Sequence, residues 1–240
     1  MIVVEQLTKS FDDKVVLNGV DAVFKPSTTN LIIGRSGAGK TVLLKSLIGL
    51  IEPTSGRILF DDVDICQFSK EQAKILRQSM GVMFQGSALF DSMTILENVR
   101  FPLDAFVRKP LSYRKSQAME YLKKVGLAQA ANKFPSEVSG GMMKRAALAR
   151  AIVNHPKYLF CDEPNSGLDP KTGGSIDQLI HDLTVEFEIT TVINTHDMNS
   201  VQNIGEHILF LHKGVKNWEG SYREIETSAT AQLKNFLSLF

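Results

Sequence analysis

The chain has 240 residues, 43% of them hydrophobic and 22% charged, which is typical of a globular domain that can bury a substantial core. Its 27 basic side chains nearly balance its 26 acidic ones, so it lacks the basic excess that attracts phosphate backbones, and we expect no nucleic-acid partner. It also lacks an apolar run long enough to span a bilayer and a signal peptide at its start, so a membrane role is expected only through a partner.

The first third of the chain is rich in predicted strands. These are residues 2–7, 15–24, 31–33, 56–60 and 80–84. The strand 31–33 runs directly into a glycine-rich loop, and the 3.6-residue spacing of leucines after that loop predicts a helix up to Gly49.

Helices dominate the middle of the chain, and strands and helices alternate after it. Residues 95–133 are predicted to be helical with interruptions at Pro102 and Pro110. The next helix, 140–154, should end before His155-Pro156, since the residue before a proline disfavours helical backbone. The following predicted elements are strand 158–161, helix 172–186, strand 190–194, helix 198–204 and strand 208–212. Such alternation predicts an α/β fold with a mostly parallel sheet covered on both faces.

The glycine-rich loop carries a phosphate-binding pattern. Residues 34–41 read GRSGAGKT and fit G-x-x-x-x-G-K-[ST], the P-loop, whose backbone N–H groups surround the phosphates of a nucleotide. The helix that follows directs its free N–H groups and positive dipole end at the anion. Lys40 is predicted to reach the β- and γ-phosphates, and Thr41 to bind Mg²⁺. The predicted nucleotide-binding residues of this segment are Gly34, Arg35, Ser36, Gly37, Ala38, Gly39, Lys40, Thr41 and Val42.

An acidic pair, Asp162-Glu163, closes the apolar strand 158–161. The strand delivers both carboxylates to the sheet edge where ligands bind in doubly wound folds. Asp162 is predicted to hold Mg²⁺ through water. Glu163, ionised near neutral pH, is predicted to act as general base or orienter of the attacking water.

A second predicted anion site opens the helix 140–154. Ser139-Gly140-Gly141 places a hydroxyl and two glycines at a helix N-terminus. Together with the P-loop and Asp162-Glu163, it resembles the ATP-binding-cassette (ABC) ATPases, and the resemblance covers nearly the whole chain. In that family the second site contacts the γ-phosphate of ATP bound to the opposite subunit. The resemblance therefore implies a homodimer with two composite ATP sites.

The resemblance implies roles for further residues. Gln85 matches the glutamine that links Mg²⁺ and the attacking water to the inserted helices, and His196 matches the switch histidine at the γ-phosphate. Phe11 matches the aromatic residue that stacks on adenine; alternatively, it packs in the core as a strand-edge aromatic. Residues 164–169 resemble the D-loop, which touches the opposite subunit.

The resemblance also implies the arrangement of the fold. Residues 1–85 and 157–240 are expected to form a P-loop NTPase core with a mostly parallel sheet and an N-terminal antiparallel β subdomain. Residues 86–156 are expected to form an inserted helical subdomain that carries the second anion site. The chain is then a single ABC ATPase domain over residues 1–240.

Two short stretches narrow the resemblance to one branch. Residues 84–90, together with Met142 and residues 145–151, look like the Mla/Mce-type phospholipid-transport ATPases, which commonly have Met where most ABC ATPases have Gln. That branch implies an integral-membrane permease as partner and phospholipid or a related lipid as cargo. It also implies a place on the cytoplasmic face of the inner membrane, with membrane contact only through the permease.

Other functions stay open at this stage. An ATPase of a lipoprotein-release, cell-division or small-solute system would share every catalytic motif. A soluble ABC ATPase acting on nucleic acid or ribosomes is a further alternative, but it usually has fused cassettes, a long coiled coil or zinc-binding cysteines, none of which the sequence carries.

Large apolar side chains are frequent after Gln85. They either pack the small core of the helical subdomain or line a groove that receives a cytoplasmic helix of the permease. These residues are Leu89, Phe90, Met93, Phe101, Leu103 and Phe106.

Overall fold

The computed structural model describes residues 1–238 and contains two β-sheets. The first sheet is antiparallel. Its strands are β1 (Ile2–Phe11), β2 (Lys14–Phe24), β4 (Ser55–Phe60) and β5 (Val63–Asp64), in the order β2-β1-β4-β5. Alternate residues of β1 and β2 face a hydrophobic core that also takes in the apolar side of the first helix. This confirms the predicted N-terminal antiparallel sheet.

The second sheet has six strands and is mostly parallel. They are β3 (Thr29–Ile33), β6 (Met80–Met83), β7 (Tyr158–Asp162), β8 (Thr190–Asn194), β9 (His207–His212) and β10 (Val215–Gly220). Their order is β10-β9-β3-β8-β7-β6, and only β10 runs antiparallel, as the hairpin partner of β9. The carboxyl ends of five parallel strands therefore lie along one edge of the sheet.

Nine α-helices surround the sheets within residues 1–238. They are α1 (Lys40–Leu47), α2 (Lys70–Gln78), α3 (Ile95–Phe106), α4 (Leu111–Lys124), α5 (Gly140–Ile152), α6 (Pro170–Glu186), α7 (Met198–Ile204), α8 (Ile225–Ser228) and α9 (Ala231–Leu237). Helices α3, α4 and α5 follow one another between β6 and β7 and pack together. Among the described residues, no helix combines the length and the apolarity needed to cross a bilayer.

Three local predictions need correction. Pro102 lies inside α3 without ending it, because the buried face of the helix, with Val99 and Leu103, packs in the core and offsets the cost of the proline. Helix α2 was not predicted; it is short and strongly polar, and the capping box of Ser69 and Gln72 is its clearest sequence signal. The fifth helix ends at Ile152 rather than at residue 154.

The predicted boundaries between core and helical subdomain, at residues 85/86 and 156/157, stay a prediction. Residues 239 and 240, which the predicted core includes, lie outside the described residues.

Candidate functional site

A cleft of about 1070 Å³ lies at the carboxyl edge of the six-stranded sheet. After each of the five parallel strands, the chain contributes to the lining of this cleft. The contributions are the P-loop after β3, Gln85 after β6, Glu163 after β7, His196 after β8 and Lys213 after β9. Residues 14–16 of β2 form another wall. The parallel topology thus brings together residues that are far apart in the sequence.

The P-loop has a backbone that only glycine accommodates at two positions. Gly34 has φ 152°, and a Cβ there would collide with the carbonyl oxygen of Leu211. Gly39 has φ 102°, and a Cβ would lie 2.7 Å from Leu17 Cδ2. Gly39 is also the N-cap of α1 and supplies no side-chain cap, so the first N–H groups of this helix remain available to an anion.

Positive charge is concentrated around this loop. Lys40 is 8% exposed, and its ammonium donates to the carbonyl oxygens of Gly34 at 2.9 Å and Arg35 at 3.4 Å. Burial lowers the pKa of Lys40, and the nearby carboxylates of Glu163 and Asp162 oppose that shift. The other basic side chains that line the cleft are Lys14, Arg35 and Lys213. The cleft therefore complements a polyphosphate.

An oxygen-rich cluster lies beside the P-loop, where Thr41, Asp162 and Asn194 meet. Thr41 Oγ1 is 3.5 Å from Asp162 Oδ1, and the amide nitrogen of Asn194 donates to Asp162 Oδ1 at 2.6 Å and to Thr41 Oγ1 at 3.1 Å. Asn194 is fully buried, and its Oδ1 has no hydrogen-bond partner among the described residues. Because Asn194 turns its amide nitrogen toward both side chains, its free Oδ1 lies on the other side of the amide, and the oxygens left for a metal are the Thr41 hydroxyl and the Asp162 carboxylate. Both are hard oxygen donors, so this pair fits Mg²⁺.

Few protein ligands are available to that ion. Residues 1–238 contain no group of three or more His, Cys, Asp or Glu side chains that could hold a metal. Mg²⁺ typically binds through one or two carboxylates together with substrate phosphates, which this donor set matches. Sequence reasoning missed Asn194, although a lone amide ending a strand of β-branched residues was its signal.

Glu163 and His196 form the polar contact at the other side of the cleft. His196 Nδ1 lies 2.8 Å from Glu163 Oε2. The imidazole is 60% exposed whereas the carboxylate is only 13% exposed. Glu163 has φ 48°, an uncommon conformation for a residue with a side chain, and its backbone N–H donates to the Asn194 carbonyl oxygen. Strained backbone of this kind concentrates at functional sites.

Gln85 connects the cleft to neighbouring segments. Its side-chain amide donates to Ser166 Oγ at 3.1 Å, and its backbone carbonyl accepts from the ammonium of Lys144. Lys144 lies on α5 and is 5% exposed, and burial lowers its pKa. Sequence reasoning missed Lys144. A lysine among the alanines of the buried face of α5 was the available signal.

Two predicted elements are not among the residues that line the cleft in this chain. Among the residues that the structure describes, Ser139, Gly140 and Gly141 are not part of the cleft lining, nor is Phe11. Ser139 is exposed and accepts from Met142 N at 3.3 Å as the N-cap of α5. Phe11 is 44% exposed, with Lys9 over its ring, so the alternative of a core aromatic is wrong.

Comparison with known proteins identifies related chains. The family described as ABC transporter matches residues 17–166. The chain is 39% identical over 237 residues to the probable ribonucleotide transport ATP-binding protein mkl of Mycobacterium leprae, covering 99% of this chain and 68% of the relative. It is 35% identical to the intermembrane phospholipid transport system ATP-binding protein MlaF of Haemophilus influenzae, covering 99% of this chain and 90% of the relative. The chain spans about two thirds of the length of the mycobacterial relatives.

A solved structure shares the fold. The ATP-binding cassette MJ0796, in a dimeric post-hydrolysis state with ADP and Pi, superposes with a TM-score of 0.81 and 32% identity. The match covers 92% of this chain and 98% of that one.

Proposed function

The chain belongs to the ABC transporter family and is an ATP-binding ATPase of that family, and from this premise we propose that it drives a membrane transporter as a homodimer. Two copies would close on ATP and separate after hydrolysis. Lys40 and the P-loop would hold the phosphates. The Mg²⁺ would be held by Thr41, Gln85 and Asp162. Glu163 would position the attacking water, with His196 at the γ-phosphate.

One observation supports the proposal that the chain acts as a homodimer. Residues 139–141 open a helix with glycine at two positions; Ser139 and Gly140 are exposed, yet none of the three lines the cleft that holds the P-loop. A helix start of this kind is suited to an anion, and a second copy could present it to the nucleotide of the first. Gly141 also packs closely on α6, because a Cβ there would lie 2.8 Å from Thr172 Cγ2.

Replacing Ser139 with Arg tests the composite site. The variant should keep its P-loop and its ATP affinity by calorimetry, but it should lose turnover because a bulky cation replaces the hydroxyl that its partner's ATP needs. Mixing it with Lys40→Ala subunits should restore activity, since the heterodimer contains one intact site. Ser116→Arg, on the exposed face of α4, is the matched control and should turn over normally.

Loss of the N-cap alone costs only about 0.5–2 kcal/mol of stability, so Ser139→Arg should remain folded, which a melting curve checks. Full turnover by the Ser139→Arg protein alone would contradict a composite site.

For the cargo we propose phospholipid or a related lipid. The support is the similarity to MlaF over nearly its whole length and Met142 in the turn that opens α5. The runner-up is a small solute, which the similarity to the ribonucleotide-transport relative favours. In either case the chain would sit on the cytoplasmic face of the membrane, attached through a permease.

The exposed phenylalanines of the helical region support a docking surface for that permease. Phe90, Phe101 and Phe106 are 41%, 40% and 49% exposed, whereas Leu103 is 3% exposed and belongs to the core. The rings of Phe90 and Phe101 are 4.8 Å apart, so they form one apolar patch. Such a patch can receive an apolar helix, and Gln85 would link it to the cleft.

Replacing Phe90 with Asp tests both the surface and the cargo. The variant should bind ATP normally but lose copurification with the permease and ATP-dependent phospholipid movement, because a carboxylate would be desolvated in the contact. Tyr222→Asp is the matched control, at an equally exposed aromatic elsewhere.

Retained assembly of Phe90→Asp would exclude this surface. Transport of a small solute without phospholipid by the wild-type complex would exclude the lipid and favour the runner-up.

A further inference from the structure

A carboxylate on α6 is buried without an ion-pair partner among the residues that the structure describes. Asp177, on α6, is 1% exposed, and no ion pair involves it among residues 1–238. Burial raises its pKa to about 6, although hydrogen bonds from Ser200 and Asn165 oppose that shift. An unpaired buried charge is unfavourable, so this position needs an explanation beyond packing.

Both oxygens of this carboxylate accept a hydrogen bond from a different segment. Asn165 Nδ2 donates to Oδ1 at 2.7 Å, and Ser200 Oγ donates to Oδ2 at 2.8 Å. Asn165 Nδ2 also lies 3.0 Å from Ser200 Oγ, which closes a three-membered cluster. Ser200 is fully buried, so water does not compete for these bonds.

The two donors belong to the segments that carry the predicted catalytic residues. Asn165 lies two residues after Glu163, and Ser200 lies in α7, four residues after His196. At the cleft, Glu163 Oε2 and His196 Nδ1 are 2.8 Å apart. The segments after β7 and β8 are therefore connected at two places. One is the contact between Glu163 and His196 in the cleft, and the other is the pair of hydrogen bonds to Asp177 in the interior.

We propose that Asp177 is a positioning residue for ATP hydrolysis. Its carboxylate holds the segments after β7 and β8 at a fixed separation, and this keeps Glu163 and His196 in contact. The P-loop makes no hydrogen bond with the cluster among the described residues, so we expect ATP affinity to change little when the cluster is altered. The inference rests on the catalytic roles proposed above for Glu163 and His196.

Conservative variants of the full chain test this role. Asp177→Asn preserves shape but removes the charge and replaces one of the two accepting oxygens with an NH2 group, and Ser200→Ala removes one of the donors. Asp182→Asn, an exposed carboxylate on the same helix, is the matched control and should behave as wild type. Asp177→Asn should lower kcat about tenfold, the effect of one lost hydrogen bond to a charged group, while the ATP dissociation constant stays within about twofold.

The double variant of Asp177 and Ser200 shows whether the two residues act through one shared contact or affect turnover independently. If Asp177 and Ser200 act through the same contact, Asp177→Asn with Ser200→Ala should lower kcat no further than Asp177→Asn alone. A kcat equal to wild type in folded Asp177→Asn overturns the proposal, as does an equal loss of kcat and of ATP affinity. If Asp177→Asn does not fold, Ser200→Ala carries the test by the same criteria.

Glu163→Gln, measured in the same assay, distinguishes a failure of the proposed catalytic role of Glu163 from a failure of the positioning role of Asp177. Near-normal turnover in Glu163→Gln would remove the catalytic assignment on which the inference rests. An inactive Glu163→Gln beside a fully active Asp177→Asn would leave the proposed function intact and exclude only the positioning role.

Discussion

Replacing Glu163 with Gln should lower ATP turnover by about 10²–10⁴-fold, the usual loss when a positioned base is removed. Gln has nearly the same shape, so the contact with His196 can persist while the charge that orients water is lost. The Lys40 ammonium and the P-loop are unchanged, and Mg-ATP should still bind. Steady-state ATPase assays measure the first effect, and calorimetry the second.

The same variant should trap an ATP-bound dimer. If two copies close on ATP and separate after hydrolysis, as proposed above, Glu163→Gln should elute as a dimer with Mg-ATP in size-exclusion chromatography. Glu186→Gln, which removes an exposed partner of Lys124, is the matched control and should retain wild-type turnover. Near-normal turnover in Glu163→Gln would exclude a catalytic role for this carboxylate.

Replacing Lys40 with Ala should weaken ATP binding at least tenfold and abolish turnover. A charge-assisted hydrogen bond to phosphate contributes on the order of 1.5–3 kcal/mol, and the Lys40 ammonium is held inside the P-loop by the Gly34 carbonyl oxygen. Burial makes the contact stronger because water does not screen it well. Isothermal titration of the variant with Mg-ATP measures the change.

Lys45→Ala provides the control for that measurement. Lys45 lies in the last turn of the same helix and does not line the cleft. It should leave ATP affinity unchanged. Equal affinities for wild type and Lys40→Ala would place Lys40 outside the binding site.

Local patterns were sufficient to predict most of the fold. The P-loop depends on glycines within one short turn, and the acidic pair depends on a strand of four residues, so neither needs knowledge of distant contacts. The alternation of strands and helices likewise predicted a parallel sheet, which is confirmed. The roles of the cleft residues stay predictions until the variants above are measured.

Other features depend on tertiary contacts that no short window contains. Asn194 is important only because β8 lies between β3 and β7, which brings it beside Thr41 and Asp162. Pro102 has low helix propensity, yet the packing of α3 overrides it. Asp177 would be read as one more polar residue of an amphipathic helix, since its partners are supplied by two other segments.

The absence of a side-chain cap on α1 has a consequence for the energetics of the ATP cycle. Gly39 begins this helix but contributes no hydrogen-bond acceptor to its first turn. A phosphate bound there, as proposed above, would take the place that Ser, Thr or Asp fills in other helices, where capping contributes about 0.5–2 kcal/mol. Nucleotide binding and helix stability are therefore linked, since any ligand that binds only the folded form stabilises it. On the proposed site, the chain would gain and lose one helix cap with every ATP that it binds and releases.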